Sequence, residues 1–566
     1  MTSKMRKREA FGMTTCVLVL LFCELFFFRN VLANGNMLGD NGDGKLTMLI
    51  TEHWYHVFRG RARFADLGMF YPAVNTLAYS DMMLGFGLVH SALRFLSMDV
   101  FSAYKLTLIL VHAVGTFSGF YLLKKVIGTG DMWALFGAMA YSFSDTYSKQ
   151  MGHPQLIAIS LVPLVAVFAV RFFQNLERRK LRNLYALGGI ALLVLALYTA
   201  WYIAFFSALF ASVTLIVWLI VAAVDRVGIK ENFGFFLRTV GWDLVGYALF
   251  GFVLVIPFLL LELPVMRMSG ARSYQEVASF FLPKPYEIIH VSPENWMLGD
   301  WIQRLNLDSG PFASEVAEGF SVVLLGVFLG SLLALLTKWR ALKTGVLKWR
   351  YVTAKALAFA VLVSLALTVK LNDDGASLWQ LVYSFFPGAK SIRAVGRYLL
   401  FLSVPMGLVT AVMGDMAFGR QNRGYGEQVR YRLGIGLLVV LLFMSNVHLS
   451  GVRTAWNRED SRAYVNSVVQ PPEDCESFYI VNSNLNWPDV FVQLNACQIS
   501  DRFGLPTING YSGVFPEGWS GIDDIDSESY EKSVRDWISK NGIDNIYAFV
   551  ESENQWVKAE DRVPIE

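Results

Sequence analysis

Two carboxylates, Asp40 and Asp43, stand three residues apart in the run Asn34-Gly35-Asn36-Met37-Leu38-Gly39-Asp40-Asn41-Gly42-Asp43-Gly44-Lys45, which directly follows an apolar stretch. Glycine on both sides permits a tight turn. The two side chains can then point back over a membrane surface, where a lipid-linked phosphate would sit. The same composition also makes a plain solvated turn, because Asp and Gly dominate turns for conformational reasons. A divalent cation can bind carboxylates, but two of them do not make a site, so no metal follows from the sequence. Arg393 and Arg397 lie four residues apart in Lys390-Ser391-Ile392-Arg393-Ala394-Val395-Gly396-Arg397. On one helix they share a face and can grip a phosphate with forked donors, or rest against anionic headgroups.

Residues 46 to 58 form an amphipathic pattern that places Leu46, Leu49, Ile50, His53, Trp54 and Val57 on one face, with Lys45, Glu52 and His56 opposite. Glu52 and His56 are one turn apart and can meet. Glu52 is therefore a candidate site residue, whereas His53 reads as packed. His153 precedes Pro154, which favours a first helical turn. It is either an interfacial histidine at a helix start or a member of the site.

A membrane domain must position these groups. Of 566 residues, 54% are hydrophobic and 17% charged, and the mean hydropathy is +0.42. An ordinary soluble protein is excluded, as are disordered, collagen-like and disulfide-scaffold classes. With 49 basic and 46 acidic residues the net charge is +3, which argues against a nucleic-acid partner. No zinc-type Cys/His spacing, P-loop or dinucleotide fingerprint occurs, so ATP-driven transport by this chain alone is not expected.

About eleven stretches are apolar and long enough to span hydrocarbon, near 10–33, 104–123, 131–148, 154–172, 183–199, 202–224, 240–263, 319–337, 351–370, 396–416 and 433–450. Basic clusters at 4–8, 124–125, 178–182, 226–238, 338–350 and 420–432 fall in alternate connections if 34–103 is wholly extracytoplasmic. The positive-inside rule then puts the N-terminus in the cytoplasm and the C-terminus outside. Residues 82–96 must in that case lie at the interface, consistent with Asp81, His90 and Arg94. His153 falls on the same side as Asp43. The external segment 264–317 has the length of a lid or acceptor-binding loop. Within it, as in the acidic pair Asp373-Asp374, no residue stands out for a role.

The chain divides at 451. Residues 1–451 form the transmembrane domain, and 452–566 a soluble extracytoplasmic α/β domain, in which acidic residues outnumber basic ones by 20 to 9 from residue 453 onward. Strands are predicted at 477–481 and 545–550, and a helix at 530–541. Cys475 and Cys497 both lie in this domain, so an oxidising compartment predicts a disulfide between them, the alternative being two buried thiols. Asn509-Gly510-Tyr511-Ser512-Gly513, followed by Trp519, offers turn glycines beside aromatics that suit sugar stacking. It equally suits a turn that packs this domain on the membrane part.

This order of features resembles the GT-C class of membrane glycosyltransferases: an anchor, an acidic turn at its outer end, two interfacial helices and a string of spans. Protein O-mannosyltransferases and aminoarabinose transferases share the plan. The likeness is nearest to bacterial GT-C-like membrane proteins of unassigned substrate, carried by Gly39-Asp40 to Asp43-Gly44, Glu52-His53, Tyr71-Pro72, Gly152-His153-Pro154-Gln155 and Asn509 to Gly513. The resemblance implies transfer of a sugar from a polyprenyl-phosphate-linked donor to an acceptor hydroxyl, with inversion, on a glycan, lipid or protein. It implies Asp43 as base, Asp40 as the next choice, Glu52 and His153 as orienting groups, and Arg393 with Arg397 as phosphate holders, at a bacterial plasma membrane. The rivals are a transporter or flippase of lipid-linked saccharide, disfavoured because no internal repeat is evident, and a catalytically inactive assembly partner.

Overall fold

The computed structural model describes residues 3–33, 35–305, 319–338, 347–372, 375–419, 424–449, 451–481, 489–521, 525 and 527–561. Asp373, Asp374 and positions 306–317 of the segment 264–317 lie outside them. Seven helices among the described residues are long and apolar enough to cross a membrane: Val100–Ile127, Pro154–Gln174, Arg179–Thr199, Trp201–Val224, Asp243–Ser269, Lys348–Thr368 and Arg397–Gly419. Two shorter apolar helices, Gly12–Phe27 and Val322–Thr337, accompany them. The chain is a multi-pass membrane protein.

The stretch expected to span near 131–148 is not one helix. It breaks into Asp131–Ser142 and the short Asp145–Gln150, because Ser144 leaves the helical path and its hydroxyl accepts the Tyr147 N–H at 3.2 Å. This break lets the chain turn back toward His153. The anchor helix Ser3–Phe27 is tied to its neighbour by a buried pair, Glu24 Oε1 with His112 Nδ1 at 2.6 Å, and by stacking of Phe27 on His112.

Two helices lie in the segment between the anchor helix and Val100–Ile127. Asp43–Phe58 packs on Leu84–Phe95, and a Cβ at Gly87 would stand 2.3 Å from Trp54, so the close approach requires glycine there. The indole of Trp54 then donates to the Met82 carbonyl at 2.7 Å. Twelve residues of Leu84–Phe95 rise about 18 Å, too short for about 30 Å of hydrocarbon.

After the last helix of the membrane part, strand β2 (Trp456–Asn457) pairs antiparallel with β1 (Asn36–Met37), tying the C-terminal region to the acidic turn. Strands β3 (Ser477–Val481), β4 (Ile546–Val550) and β5 (Gln555–Lys558) form a sheet in that order, β3 and β4 parallel, β4 and β5 antiparallel. The parallel pair needs a long crossover. Helices Asp489–Phe503 and Glu528–Asn541 lie within it.

The disulfide expected between Cys475 and Cys497 is not formed; both are free thiols. The Cys475 thiol donates to the Ser477 carbonyl at 3.4 Å, while Cys497 is enclosed within the helix Asp489–Phe503. Burial pushes the Cys475 thiol up to about 11 and the Cys497 thiol up to about 12, so both stay protonated and unreactive at neutral pH.

Candidate active site

The acidic turn is built by Asp40. Its Oδ1 accepts the N–H groups of Gly42 at 3.0 Å and Asp43 at 2.6 Å, capping the helix that starts at Asp43. Gly39, at φ +100°, lets the turn press on the 150–155 segment: a Cβ there would lie 2.7 Å from Gly44 Cα and 2.8 Å from Pro154 Cγ. The Asp40 N–H donates to the Gly152 carbonyl at 3.2 Å. From behind, the Leu38 carbonyl accepts Tyr104 Oη at 3.1 Å and Trp456 Nε1 at 3.2 Å.

That stitching brings His153 to Asp43. His153 Nδ1 lies 2.5 Å from Asp43 Oδ2, and Gln155 Nε2 donates to the same oxygen at 3.2 Å. The two partners are about one-fifth exposed, 20% for Asp43 and 22% for His153, so a substrate can reach them. Burial alone would raise the Asp43 pKa. The His153 hydrogen bond and charge, the Gln155 amide and the Arg397 charge outweigh it and hold the carboxyl below its ordinary range. Asp40 goes the other way: burial, and then the charge of Asp43, raise it against the opposing pull of His153 and the backbone N–H groups. Of the two, Asp43 is the carboxylate whose pKa is held down, and Asp40 the one whose pKa is pushed up.

Arg393 and Arg397 do not share a helix face as their spacing predicted. The helix begins only at Arg397, after an extended Ile392, and Arg393 belongs to the approach segment. Tyr202 organises that segment, its hydroxyl accepting the N–H groups of Arg393 at 3.1 Å and Ala394 at 3.2 Å. The Arg397 guanidinium lies 5.3 Å from the Tyr202 ring centre, and that of Arg393 lies 5.0 Å from Phe281. The charge of Arg397 reaches both Asp43 and Asp81.

Asp81 is the group that sequence reasoning missed. Its Oδ1 accepts the Trp201 N–H at 2.7 Å. Burial pushes its carboxyl up to about 6, against the Trp201 N–H and Arg397 and with help from Asp43. Because the folded pKa exceeds the unfolded value, stability is full below the ordinary carboxylate range and is lost as pH rises through about 6. Asp81→Asn, which keeps the acceptor for Trp201, is expected to stabilise the protein by up to about 3 kcal/mol at pH 7.5 and hardly at all at pH 4. Thermal unfolding at the two pH values measures this, and equal shifts would contradict the assignment.

Glu52 is not part of this site. It lies nine residues beyond Asp43 on the same helix, about 13 Å along the axis. It is buried against Leu84–Phe95, with His90 Nε2 at 2.7 Å and Arg94 Nε and Nη2 each at 2.9 Å from its carboxylate. Burial would raise its pKa, but those two hydrogen-bond partners keep it low. The polar face of the helix is thus a buried ion pair rather than a wet surface. His56 pairs chiefly with Asp501, at 3.1 Å. Glu52→Ala would strand Arg94 and His90, and a loss of about 3–5 kcal/mol is expected in denaturant unfolding. Wild-type stability in that variant would refute the ion-pair role.

The 509–513 motif is a packing turn. Asn509 is fully buried and its carbonyl accepts the Phe70 N–H at 3.1 Å, and a Cβ at Gly510 would meet the Phe70 ring at 2.7 Å. Tyr511 nonetheless comes close to the acidic turn: a Cβ built on Gly42 would lie 3.9 Å from its Cε1. Trp519 is buried against Trp537. Among the described residues no group of three or more His, Cys, Asp or Glu side chains is arranged to hold a metal ion.

No protein-family model and no curated protein sequence matches the chain. Among solved structures it is similar to the oligosaccharyltransferase of Archaeoglobus fulgidus tethered to an acceptor peptide containing the NVT sequon. The TM-score is 0.50 at 11% identity, over 94% of this chain and 68% of that one. The same archaeal enzyme with an inhibitory peptide and a dolichol-phosphate gives 0.46 at 12% identity, over 96% and 70%. ArnT from Cupriavidus metallidurans bound to undecaprenyl phosphate gives 0.42 at 12%, over 88% and 85%. The first of these likenesses, running along nearly all of this chain, shows that it has the GT-C-like architecture of membrane glycosyltransferases.

Proposed function

We propose that the chain is a membrane glycosyltransferase that moves a sugar from a polyprenyl-phosphate-linked donor to an acceptor hydroxyl on the extracytoplasmic face. The observation that carries this reading is the mostly buried but still reachable Asp43–His153 pair within reach of the Arg397 charge. A base and a cation acting on the same site are what such a transfer needs. The acceptor O–H gives its proton to Asp43 as its oxygen bonds to the anomeric carbon. The bond from that carbon to the phosphate oxygen breaks, its electron pair leaves with the polyprenyl phosphate, and configuration inverts. His153 and Gln155 fix one oxygen of Asp43, leaving Oδ1 to take the proton. Arg397, with Arg393 behind it, offsets the charge growing on the leaving phosphate.

In this reading residues 1–451 form the transferase part, with a cytoplasmic N-terminus, and 452–566 form an extracytoplasmic module that closes over the acidic turn through β1 and β2. The setting is a bacterial plasma membrane. Lipid extracts from cells lacking the chain are expected to accumulate one polyprenyl-phosphate sugar that the complemented strain consumes. An unchanged lipid pool would contradict the donor assignment.

A further inference from the structure

A second site lies beyond the acidic turn. A cavity of about 240 Å³ opens between the helix Asp43–Phe58, the start of Val100–Tyr121, and the helices Arg458–Ser467 and Asp489–Phe503 of the C-terminal region. Gln498 lines it, is only 4% exposed, and neither its amide oxygen nor its amide nitrogen has a hydrogen-bond partner. An amide buried with both ends unmet is unfavourable unless a ligand or water meets it.

Several of the charged groups around the cavity are already partnered. Glu52 is held by His90 and Arg94, Asp501 by His56 at 3.1 Å, and Arg462 by Asp99 at 3.1 Å. The guanidinium of Arg502 donates to the Val468 carbonyl at 3.0 Å. The amides of Gln498 and Asn466 are the lining groups that can both donate to and accept from a ligand. Leu49 and Phe101 supply apolar surface beside Gln498 and the exposed amide of Asn466. A saccharide, whose hydroxyls both donate and accept and whose ring presents C–H faces, matches this lining. The volume is below that of a typical drug-sized site and suits one ring of a longer chain.

We infer that this cavity is a saccharide-binding subsite in which the amide of Gln498 pairs with sugar hydroxyls. Leu49 lies six residues beyond Asp43, about 9 Å along the helix. That the saccharide is the acceptor rests on the transferase reading; that a sugar binds does not.

The test is saturation-transfer NMR on the full chain in lipid nanodiscs, with maltotriose, cellotriose, chitotriose and xylotriose as separate probes. At least one probe is expected to bind both wild type and Asp43→Asn, and to lose its signal in Gln498→Met and weaken in Asn466→Ala. Gln498→Met removes an unpaired buried amide, so its unfolding temperature should rise rather than fall. Asn466 is on the exposed rim, so its variant reports on binding without a folding defect. Sugar binding in a chain that performs no transfer would leave this inference standing and remove the transferase reading. Silence from all four sugars would overturn the inference. So would binding that Gln498→Met leaves unchanged, or a Gln498-dependent signal from a Ser/Thr hexapeptide where the sugars give none.

Discussion

Asp43→Asn should lower turnover by about a hundred- to ten-thousandfold while leaving donor affinity within a few-fold of wild type. Asparagine keeps an oxygen for the His153 and Gln155 hydrogen bonds, so the turn and its 2.5 Å contact have no geometric reason to move. What is lost is the ability to take a proton, and a positioned base contributes a factor of that order. Asp40→Asn is the matched control. An asparagine oxygen can still accept from Gly42 and Asp43, so the helix cap survives and activity should stay within about tenfold. Single-turnover rates at saturating donor separate the two variants. If Asp40→Asn is the inactive one, the base has been assigned to the wrong carboxylate.

Arg397→Gln has the second large effect, on donor binding and on pH dependence together. Loss of a charged hydrogen-bond donor to phosphate costs about 1.5–3 kcal/mol, roughly ten- to a hundredfold in donor KM. Arg397 also helps to hold the Asp43 carboxyl low, so its removal moves the acid limb of the activity profile to higher pH. A packing defect alone would not shift that limb. Arg397→Lys should recover the pH profile, since the charge remains, but only part of the affinity, since the planar fork is gone. Arg393→Gln should do less, because Arg397 is the cation whose charge bears on Asp43 and Asp81. Equal losses from the two arginines would refute this division.

Much of the site was legible. The glycine-flanked acids and the alternation of basic clusters led to the expectation that Asp43 and His153 lie on one side of the membrane, and the structure puts the two side chains in contact. The rest depended on long-range packing that local pattern does not carry. The amphipathic pattern at 46–58 marks Glu52 as polar-facing. It does not say whether the partner is water or, as found, His90 and Arg94 on a helix some forty residues away. Those two residues, on a helix read as interfacial, were the available signal that a buried acid faces them. The arginine spacing suggested a shared face only while the helix was taken to run through Gly396, where it in fact begins one residue later. Asp81 carried one hint, an acid placed directly before an apolar segment. Its meeting with Trp201 and with the charge of Arg397 joins three distant stretches of chain. The cysteines shared a compartment but not a geometry, and each is spoken for by its own element.

The central claim, sugar transfer at Asp43, is tested most directly by mass spectrometry of cell-envelope glycans. The strains compared are a deletion strain and the same strain complemented with wild type or with Asp43→Asn at matched expression. One sugar should be missing from a finished glycan in the deletion and in the Asp43→Asn strain, and wild type should restore it. Restoration of that sugar by Asp43→Asn would rule out Asp43 as the base and point to transport or to another base, and an unaltered glycan profile in the deletion would contradict the transferase reading itself.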